Sequence, residues 1–308
     1  MSEPILLAGR DLKVDRKKIG ISYSGGGAMV LIELGIANAF VDLGIVPAVI
    51  AGASSGALAG AAHALDPVGG AGIRIAAAIL GGVTNRTLGL GIDQVIGRLV
   101  LERQNLTSLG DHTPLRLIIR DELEAKLGLT NVTIGYFRPP SRPRLMVVAT
   151  NRLSARSVWF PAPTPIADAL LASAAIPGIF PWQTIKVRGR DLTLVDGGVV
   201  DNQPLTQLAL AGCGTIFACA VGYVGGAIPP PTNAINNAVN SIWITVHQAT
   251  KLEEQMLRER LRTRGDIFHI HPEVNFPVDQ FNFTDDLVAA VMEESRSKTI
   301  AWLHRLGF

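Results

Sequence analysis

The sequence has little cysteine, few aromatic residues and almost no net charge. Two of its 308 residues are cysteine, aromatic side chains make up 6%, and the formal net charge is +2. A near-neutral charge argues against a nucleic-acid-binding protein, and the sparse aromatic residues offer no evident platform on which bases would stack. The remaining composition, 48% hydrophobic with a mean hydropathy of +0.30, is sufficient for one large buried core.

The two cysteines, Cys213 and Cys219, lie in or beside an apolar run at residues 215–221. Buried thiols are the ordinary interpretation of that placement, ahead of a disulfide or a metal site. This usage fits a cytoplasmic protein. The first four residues contain no basic segment and the apolar stretch at 5–8 is short, so we also expect no signal peptide.

Apolar segments that would cross a membrane without interruption are also lacking. Residues 44–65 carry no charge and have about the required length, but they contain Pro47, internal glycines and two adjacent serines. A strand, a turn and a helix explain this pattern better than a membrane span. No charged or Ser/Pro-rich linker divides the chain, so we expect one domain over 1–308, with core motifs at 19–202 and a C-terminal helical part at 241–308.

Hydrophobic periodicity predicts an alternation of strands and helices, which is typical of an α/β fold with a parallel sheet. The predicted strands cover residues 19–23, 46–51, 145–150, 157–160, 192–196 and 215–221. The predicted helices cover residues 30–43, 57–65, 114–126, 166–175, 241–262 and 285–306, with further helices, broken by glycine, in 66–100.

The most informative stretch is Gly52-Ala53-Ser54-Ser55-Gly56, between a predicted buried strand and a predicted helix. Gly-x-Ser-x-Gly in that context is the pattern of a nucleophile elbow, a turn so tight that its flanking positions leave no room for a Cβ. The hydroxyl of the central Ser54 should stand at the tip of the turn, beside a helix N-terminus whose N–H groups favour an oxyanion. Taken alone, the stretch also fits a helix start with an N-cap serine.

A second glycine cluster, Gly25-Gly26-Gly27, directly follows the first predicted strand. Its unshielded N–H groups suit a phosphate or an oxyanion. The cluster fails the dinucleotide-binding pattern at Val30 and no P-loop lysine follows, so an oxyanion hole is the remaining functional interpretation. A glycine-rich turn that binds nothing is the alternative.

A serine nucleophile needs a base, and none of the six histidines is well placed to supply it. His63 lies on the helix after the elbow, too close in sequence to reach back to Ser54. His269 and His271 alternate as in a strand, but they lack a nearby third metal ligand.

Asp196 is the better candidate for the base, because it ends a predicted strand and precedes two glycines. The carboxyl ends of strands in a parallel sheet converge on one edge, where a partly buried carboxylate can take the proton of a serine. An ordinary turn built on an Asp-Gly pair is the alternative.

Together these segments resemble the patatin-like phospholipase family, over residues 19–306. The stretches that carry the resemblance are Ser-Gly-Gly-Gly at 24–27, Gly-Ala-Ser-Ser-Gly at 52–56, Ala-Ser-Ala-Ala-Ile-Pro-Gly-Ile-Phe-Pro at 172–181 and Val-Asp-Gly-Gly-Val-Val-Asp-Asn at 195–202. Each motif alone is weak, but the combination is highly specific. It implies a three-layer α/β/α fold with a mainly parallel central sheet, and lipid acyl hydrolysis by a Ser–Asp dyad without a catalytic histidine. We expect neither a cofactor nor a metal.

The same resemblance implies that Ser54 is the nucleophile, that Asp196 is its base, and that the backbone N–H groups of Gly25, Gly26 and Gly27 hold the oxyanion. The family's glycine loop usually continues with a basic residue and another glycine, where this sequence has Met29 and Val30. We therefore consider two functions: a serine lipid acyl hydrolase of the phospholipase A or esterase type, or a weak or inactive member that binds lipid or has a regulatory role.

Two further segments bear on the expected partner, a lipid or an acyl ester. Residues 66–100 either line an acyl-chain pocket or form ordinary helix core, which the composition favours. The cluster of Arg258, Arg260, Arg262 and Arg264 either contacts an anionic membrane face or is the solvated end of a helix, which we favour.

Overall fold

The computed structural model describes residues 12–101, 107–128, 130–222, 225, 234–262, 264–275 and 281–308. At its centre lies an eight-stranded sheet. The strands are β1 (Asp15–Tyr23), β2 (Val49–Ala53), β3 (Arg144–Asn151), β4 (Arg156–Trp159), β5 (Gln183–Val187), β6 (Arg190–Val195), β7 (Cys213–Cys219) and β8 (Asp266–Ile270).

Five strands of the sheet are parallel neighbours, in the order β3-β2-β1-β7-β8. The other three are antiparallel additions around β3: β4 and β6 each pair with β3, and β5 pairs with β6 in a hairpin. The parallel strands all end at the same edge of the sheet, which we call the carboxyl edge.

Helices cover both faces of the sheet. They are α1 (Val30–Asp42), α2 (Ser55–Leu65), α3 (Ala71–Gly81), α4 (Ile92–Leu101), α5 (Thr113–Leu127), α6 (Ile166–Ser173), α7 (Leu205–Leu210), α8 (Ala234–Leu261) and α9 (Asp285–Arg305). On one face, α2 and α6 pack directly on the sheet, with α1, α3, α5 and α9 packed around them. On the other face, α7 covers β7, β1 and β2, and α8 packs on α7 and β8.

The strands divide their side chains between two buried cores, because successive residues of a strand point to opposite faces. In β2, Ile50 belongs to the larger core under α2, whereas Val49 and Ala51 belong to the smaller core under α7. A strand that is buried on both faces reads as a continuous apolar run, which explains why the central strands were predictable. The arrangement confirms the expected three-layer α/β/α class with a mainly parallel central sheet.

Most predicted elements are present, with boundaries shifted by a few residues. The shift that matters is in β2, which was predicted at 46–51 and instead ends at Ala53, so that the strand runs directly into Ser54. The reason is pairing: Gly52 and Ala53 remain hydrogen-bonded in register with Val147 and Val148 of β3.

The elements β5, α7 and β8 lack a full prediction from the sequence. The alternation of Ile185 and Val187 with polar residues, followed by a turn at Arg188 and Gly189, was a usable signal for the hairpin. Both turn residues have positive φ angles, as a tight hairpin connection requires.

Some expectations concern parts of the chain that the structure leaves out. The sequence at 222–231, with three consecutive prolines, predicts a loop, and most of it lies outside the described residues, as do residues 1–11. Cys213 and Cys219 are buried free thiols, as expected. Among the helices in the described ranges, none combines the length and apolarity needed to cross a membrane. The organisation of 1–308 as one domain stays a prediction.

Candidate active site

Ser54 and Asp196 meet because β2 and β6 share one edge of β3. Val148 of β3 pairs with both β2 and β4, and Thr150 pairs with both β4 and β6. A residue in a strand can pair with one neighbour on each edge. Because β4 occupies one edge of β3 at both Val148 and Thr150, β2 and β6 must lie on the other edge of β3, one after the other along it. Ser54 directly follows the last residue of β2 and Asp196 the last residue of β6, so the two side chains arrive at the same place.

This geometry corrects one premise of the sequence analysis. Asp196 was expected at the carboxyl end of a strand in the parallel sheet, but β6 runs antiparallel to β3 and pairs with it only through Leu194 and Val195. The strand approaches the carboxyl edge from outside the sheet. Its own end therefore coincides with the ends of the parallel strands, and Asp196 reaches the expected position by a different route.

Ser54 has the backbone geometry of a nucleophile elbow. Its φ of 52° and ψ of −126° lie in a region that L-residues rarely adopt. A Cβ at Gly52 would overlap the backbone of Gly56, and a Cβ at Gly56 would overlap the carbonyls of Tyr23 and Ser24. Both glycines are therefore required by close approach of the backbone, as the motif predicts.

The elbow is also fixed from outside by Ser173, the last residue of α6. The Ser54 N–H donates to Ser173 Oγ at 2.9 Å, in a site where both serines are buried. Sequence reasoning did not assign a role to Ser173, although it lies within the 172–181 stretch that carries the family resemblance.

Four hydrogen bonds fix Asp196, one of them from the Val199 N–H to the Asp196 carbonyl at 3.3 Å. The Asp196 N–H donates to the Ala175 carbonyl at 2.9 Å, and its own carbonyl accepts from Thr150 Oγ1 at 2.8 Å. The Gly198 N–H donates to Asp196 Oδ1 at 2.7 Å. Within the described part of the chain, Oδ2 has no well-aligned hydrogen-bond partner. Oδ2 is thus the oxygen that can receive a proton.

Burial raises the pKa of Asp196 to about 7, against the opposing effects of the Ser54 hydroxyl and the Gly198 N–H. A carboxylate with a pKa near neutrality is a far better proton acceptor than an exposed aspartate. The position thus has the electrostatics that a general base needs.

The three glycines predicted for the oxyanion hole lie beside the elbow, but their N–H groups differ. The Gly25 N–H donates to the Asn202 carbonyl at 3.0 Å, and the Gly26 N–H donates to Ser55 Oγ at 2.8 Å. The Gly27 N–H has no acceptor among the residues that the structure describes. In this arrangement Gly27 is the donor that remains available.

Asn202 connects the glycine loop to the loop that follows Asp196. Its carbonyl accepts from the Gly25 N–H, and its Nδ2 donates to the Gly25 carbonyl at 3.3 Å. A Cβ at either Gly25 or Gly198 would overlap Asn202 Oδ1, so the three residues are in close contact. The asparagine was part of the motif at 195–202, but sequence reasoning assigned it no role.

The histidines have other partners. His63 is fully buried, its Nδ1 lies 2.8 Å from the Tyr23 hydroxyl, and burial lowers its pKa to about 3. His269 bonds to Glu254 at 2.8 Å and His271 to a backbone carbonyl at 2.9 Å. In the described ranges, the side chains form no cluster of three or more histidine, cysteine or carboxylate ligands.

An apolar cavity of about 70 Å³ lies in the helical layer next to the site. Leu58, one helical turn beyond Ser54, lines it, as do Val30 at the start of α1 and Leu170 of α6. Among the described side chains of the segment at 66–100, only α3 contributes: Gly72, Ile75, Ala76, Ile79 and Leu80. Most of that segment is thus helix core or surface, and one face of α3 lines the cavity.

The arginine cluster, for which a membrane contact was the less favoured interpretation, lies away from the site. Arg258 and Arg260 are in the last turn of α8, which ends just before β8 begins. The start of a parallel strand is at the edge opposite the carboxyl edge. Arg258 bonds to Glu254 and to the Ile267 carbonyl. These placements agree with the solvated end of a helix.

Comparison with known proteins identifies the family. The family described as patatin-like phospholipase matches residues 21–210, which are more than half of the chain. The chain belongs to the patatin-like phospholipase family. The matched span contains the glycine loop, the elbow and Asp196.

The relatives found are distant. An uncharacterized NTE family protein of Mycobacterium tuberculosis is 28% identical over 231 residues, which are 74% of this chain and 54% of that protein. The lysophospholipase NTE1 of Candida glabrata is 32% identical over 77 residues, which are 25% of this chain and 4% of that protein. The chain therefore spans about half the length of the mycobacterial relative. The crystal structure of VipD from Legionella pneumophila aligns with a TM-score of 0.42 and 16% identity, covering 98% of this chain and 72% of VipD.

Proposed function

We propose that this patatin-like protein is a serine lipid acyl hydrolase of the phospholipase A or esterase type. The observation that carries the proposal is the meeting of Ser54 and Asp196 at one edge of β3, with the serine on a strained elbow and the aspartate buried. The partial match to a protein named lysophospholipase agrees with a lipid ester as substrate.

The first half of the reaction forms an acyl-enzyme. Ser54 Oγ attacks the ester carbonyl carbon while Asp196 Oδ2 takes the hydroxyl proton, which gives a tetrahedral oxyanion. The C–O bond to the alcohol then breaks, and the protonated Asp196 returns the proton to that leaving oxygen. In the second half, Asp196 takes a proton from water as the water attacks the acyl-Ser54 ester, and the serine leaves with that proton. No cofactor is needed for these steps.

The proposed oxyanion site lies between the glycine loop and the N-terminus of α2. Gly27 offers an N–H that has no acceptor within the described residues, and the first turn of α2 begins with Ser55, directly after Ser54. Gly25 and Gly26 shape the loop through their bonds to Asn202 and Ser55. Backbone donors aimed at a developing negative charge stabilise it without reorganisation during the reaction. Met29 and Val30 do not remove any of these donors.

The apolar cavity is the proposed site for the acyl chain. Three helices that line it also position the reacting groups: α1 follows the glycine loop, α2 follows Ser54, and α6 ends at Ser173, which bonds to the Ser54 N–H. Its lining is almost wholly apolar, which suits a hydrocarbon chain and offers no partner for a polar head group.

The test is hydrolysis of a series of short- and long-chain p-nitrophenyl esters by the wild type, Ser54→Ala and Asp196→Asn. Loss of the nucleophile or of the base should reduce kcat by at least about a thousandfold. Ser154→Ala and Asp191→Asn are matched controls, because both residues are exposed, and Asp191 lies on the same strand that leads to Asp196. Undiminished activity in Ser54→Ala or Asp196→Asn would contradict the mechanism.

The alternative is an inactive member of the family that binds or senses lipid. A fluorophosphonate probe separates the two, since it labels only an activated serine. Stoichiometric labelling of the wild type, absent in Ser54→Ala, supports the hydrolase. A protein that binds lipid but is not labelled would support the alternative.

A cytoplasmic location of the protein is also part of the proposal, and cell fractionation would test it.

A further inference from the structure

A group of exposed cations lies beside the active site, at the tip of the β5–β6 hairpin and in the β3–β4 turn. Its cations are Arg152, Arg156, Lys186, Arg188 and Arg190, all exposed. We call these five residues, together with Leu153 and Trp182, the hairpin face.

The hairpin face projects beyond the carboxyl edge. Only Leu194 and Val195 of β6 pair with β3, so the rest of β6 and its partner β5 extend past the end of β3. The β3–β4 turn is in the same place, because the Arg152 N–H donates to the Thr193 carbonyl at 2.9 Å. The face thus stands on the side of the molecule where Ser54 and Asp196 meet.

The cations of the hairpin face are not neutralised by the protein. In the described part of the chain, none of the five forms an ion pair. Asp191, which pairs across the hairpin with Lys186, is the one acidic residue in the sequence of the β3–β4 turn and the β5–β6 hairpin. The local charge is therefore strongly positive in a chain whose formal net charge is only +2.

Large apolar side chains accompany these cations. Leu153 is 80% exposed at the β3–β4 turn and Trp182 is 40% exposed before β5, with the Arg152 guanidinium 5.3 Å from the Trp182 ring centre. Val199, which is 48% exposed, lies in the loop that follows Asp196. Cations attract an anionic bilayer surface, and tryptophan prefers the interface between head groups and acyl chains.

We propose that the hairpin face docks the protein on the surface of an anionic lipid bilayer, with the active site facing the lipid. Charge complementarity supplies the attraction, while Leu153 and Trp182 enter the head-group region. This inference rests on the proposed function for the choice of a lipid surface. It assigns the contact to the edge that carries the dyad, in place of the arginine cluster at 258–264 on the opposite edge.

The experiment measures binding to vesicles of phosphatidylcholine with and without phosphatidylserine, for the wild type and two double variants. Arg188→Gln with Arg190→Gln should weaken binding to phosphatidylserine vesicles about fivefold per arginine, or about 25-fold together. Arg260→Gln with Arg262→Gln removes the same charge at the opposite edge and should leave binding unchanged. Added salt should weaken wild-type binding, because exposed charges are screened.

Hydrolysis of a soluble p-nitrophenyl ester separates this inference from the proposed function. The Arg188→Gln, Arg190→Gln variant should retain wild-type activity on that ester, which shows that it is folded. Equal loss of vesicle binding in both double variants, or wild-type binding that is independent of phosphatidylserine, would overturn the docking face. Selective vesicle binding by a wild type that hydrolyses no ester would instead keep the docking face and contradict the hydrolase.

Discussion

Gly26 donates its backbone N–H to the side chain of Ser55, at 2.8 Å, and so ties the glycine loop to the elbow. Glu33, in the first turn of α1, is fully buried, and burial raises the pKa of its carboxyl group well above its usual range. The nearby Ser55 hydroxyl has the opposite, smaller effect on that pKa. Ser55, which directly follows Ser54, thus connects the glycine loop with the elbow and lies beside the first turn of α1.

Ser55→Ala should lower kcat about tenfold while KM changes little, because one hydrogen bond that holds the glycine loop beside Gly27 is lost. Ser55→Thr retains the hydroxyl and should restore most of kcat. Steady-state kinetics on a soluble ester provide the measurement. A higher kcat in Ser55→Ala would show instead that Ser55 competes with the oxyanion for the Gly26 N–H.

The rate should depend on pH through Asp196. The carboxylate is the form that accepts a proton, so kcat/KM should rise as the pH increases through about 7 and reach a plateau above it. The measurement is a pH profile on a soluble ester from about pH 5 to about pH 9, which extends roughly two units to each side of the expected pKa. A kcat/KM that stays constant to below about pH 6, about one unit under the expected pKa, would exclude Asp196 as a base with a raised pKa.

The same pKa has a consequence for stability. Because the pKa of Asp196 in the folded protein, about 7, exceeds the ordinary value of 3.8, the native state binds more protons than the unfolded state between these pH values. The contribution of Asp196 to the free energy of unfolding therefore falls as the pH rises from about 4 to about 7, by about 4 kcal/mol at most.

Asp196→Asn removes this effect. The variant should gain stability relative to the wild type as the pH rises from about 5 to about 8. Urea unfolding at both pH values measures the two free energies of unfolding. Asp191→Asn, at an exposed site, is the control and should show no such trend. A wild-type-minus-variant difference that is constant with pH would mean that burial does not raise the pKa.

The strain at Ser54 can be measured with two substitutions. Ser54→Ala retains a Cβ and hence the unfavourable φ of 52°, whereas Ser54→Gly relieves it. We expect Ser54→Gly to be more stable than Ser54→Ala by about 1 kcal/mol, since local strain of this kind is about 1–3 kcal/mol and glycine loses more backbone entropy. Chemical denaturation of both inactive variants compares them. Greater stability of the alanine variant would show that the turn is relaxed.

The apolar cavity should set acyl-chain preference. Ala76→Leu places a larger side chain in the cavity and should shift the optimum in the ester series toward shorter chains. Ala78→Leu is the matched control, because Ala78 lies two residues further along α3, is exposed and does not line the cavity. The ratio of kcat/KM for long and short esters is the measurement. Equal ratios in the two variants would place the acyl chain elsewhere.

The sequence predicted the fold where burial leaves a simple pattern. Central strands buried on both faces appear as apolar runs, and the elbow glycines are dictated by backbone contacts that any residue with a Cβ would break. The class of fold, the elbow and the buried thiols could therefore be inferred without coordinates. Membership of the family was also predictable, since four short motifs combine over most of the chain.

What the sequence did not reveal depends on long-range pairing. Nothing local in the sequence of β6 tells whether it runs parallel or antiparallel to β3, and the hydrogen bonds of Gly25 and Gly26 depend on Asn202 and on a side-chain rotamer of Ser55. The distribution of cations between the two edges of the sheet is likewise a property of topology. Residue type alone left a membrane contact of the arginines at 258–264 open as the less favoured alternative, and these arginines lie at the far edge.

The shared edge of β3 also links closure of the sheet to the position of Asp196. Until β6 docks, Thr150 and Asn151 present open backbone groups beyond the end of β2, and an open strand edge invites pairing with other chains. The contact that closes this edge is the one that delivers Asp196. Docking of β6 therefore closes this edge and brings Asp196, the proposed base, to Ser54 in the same step.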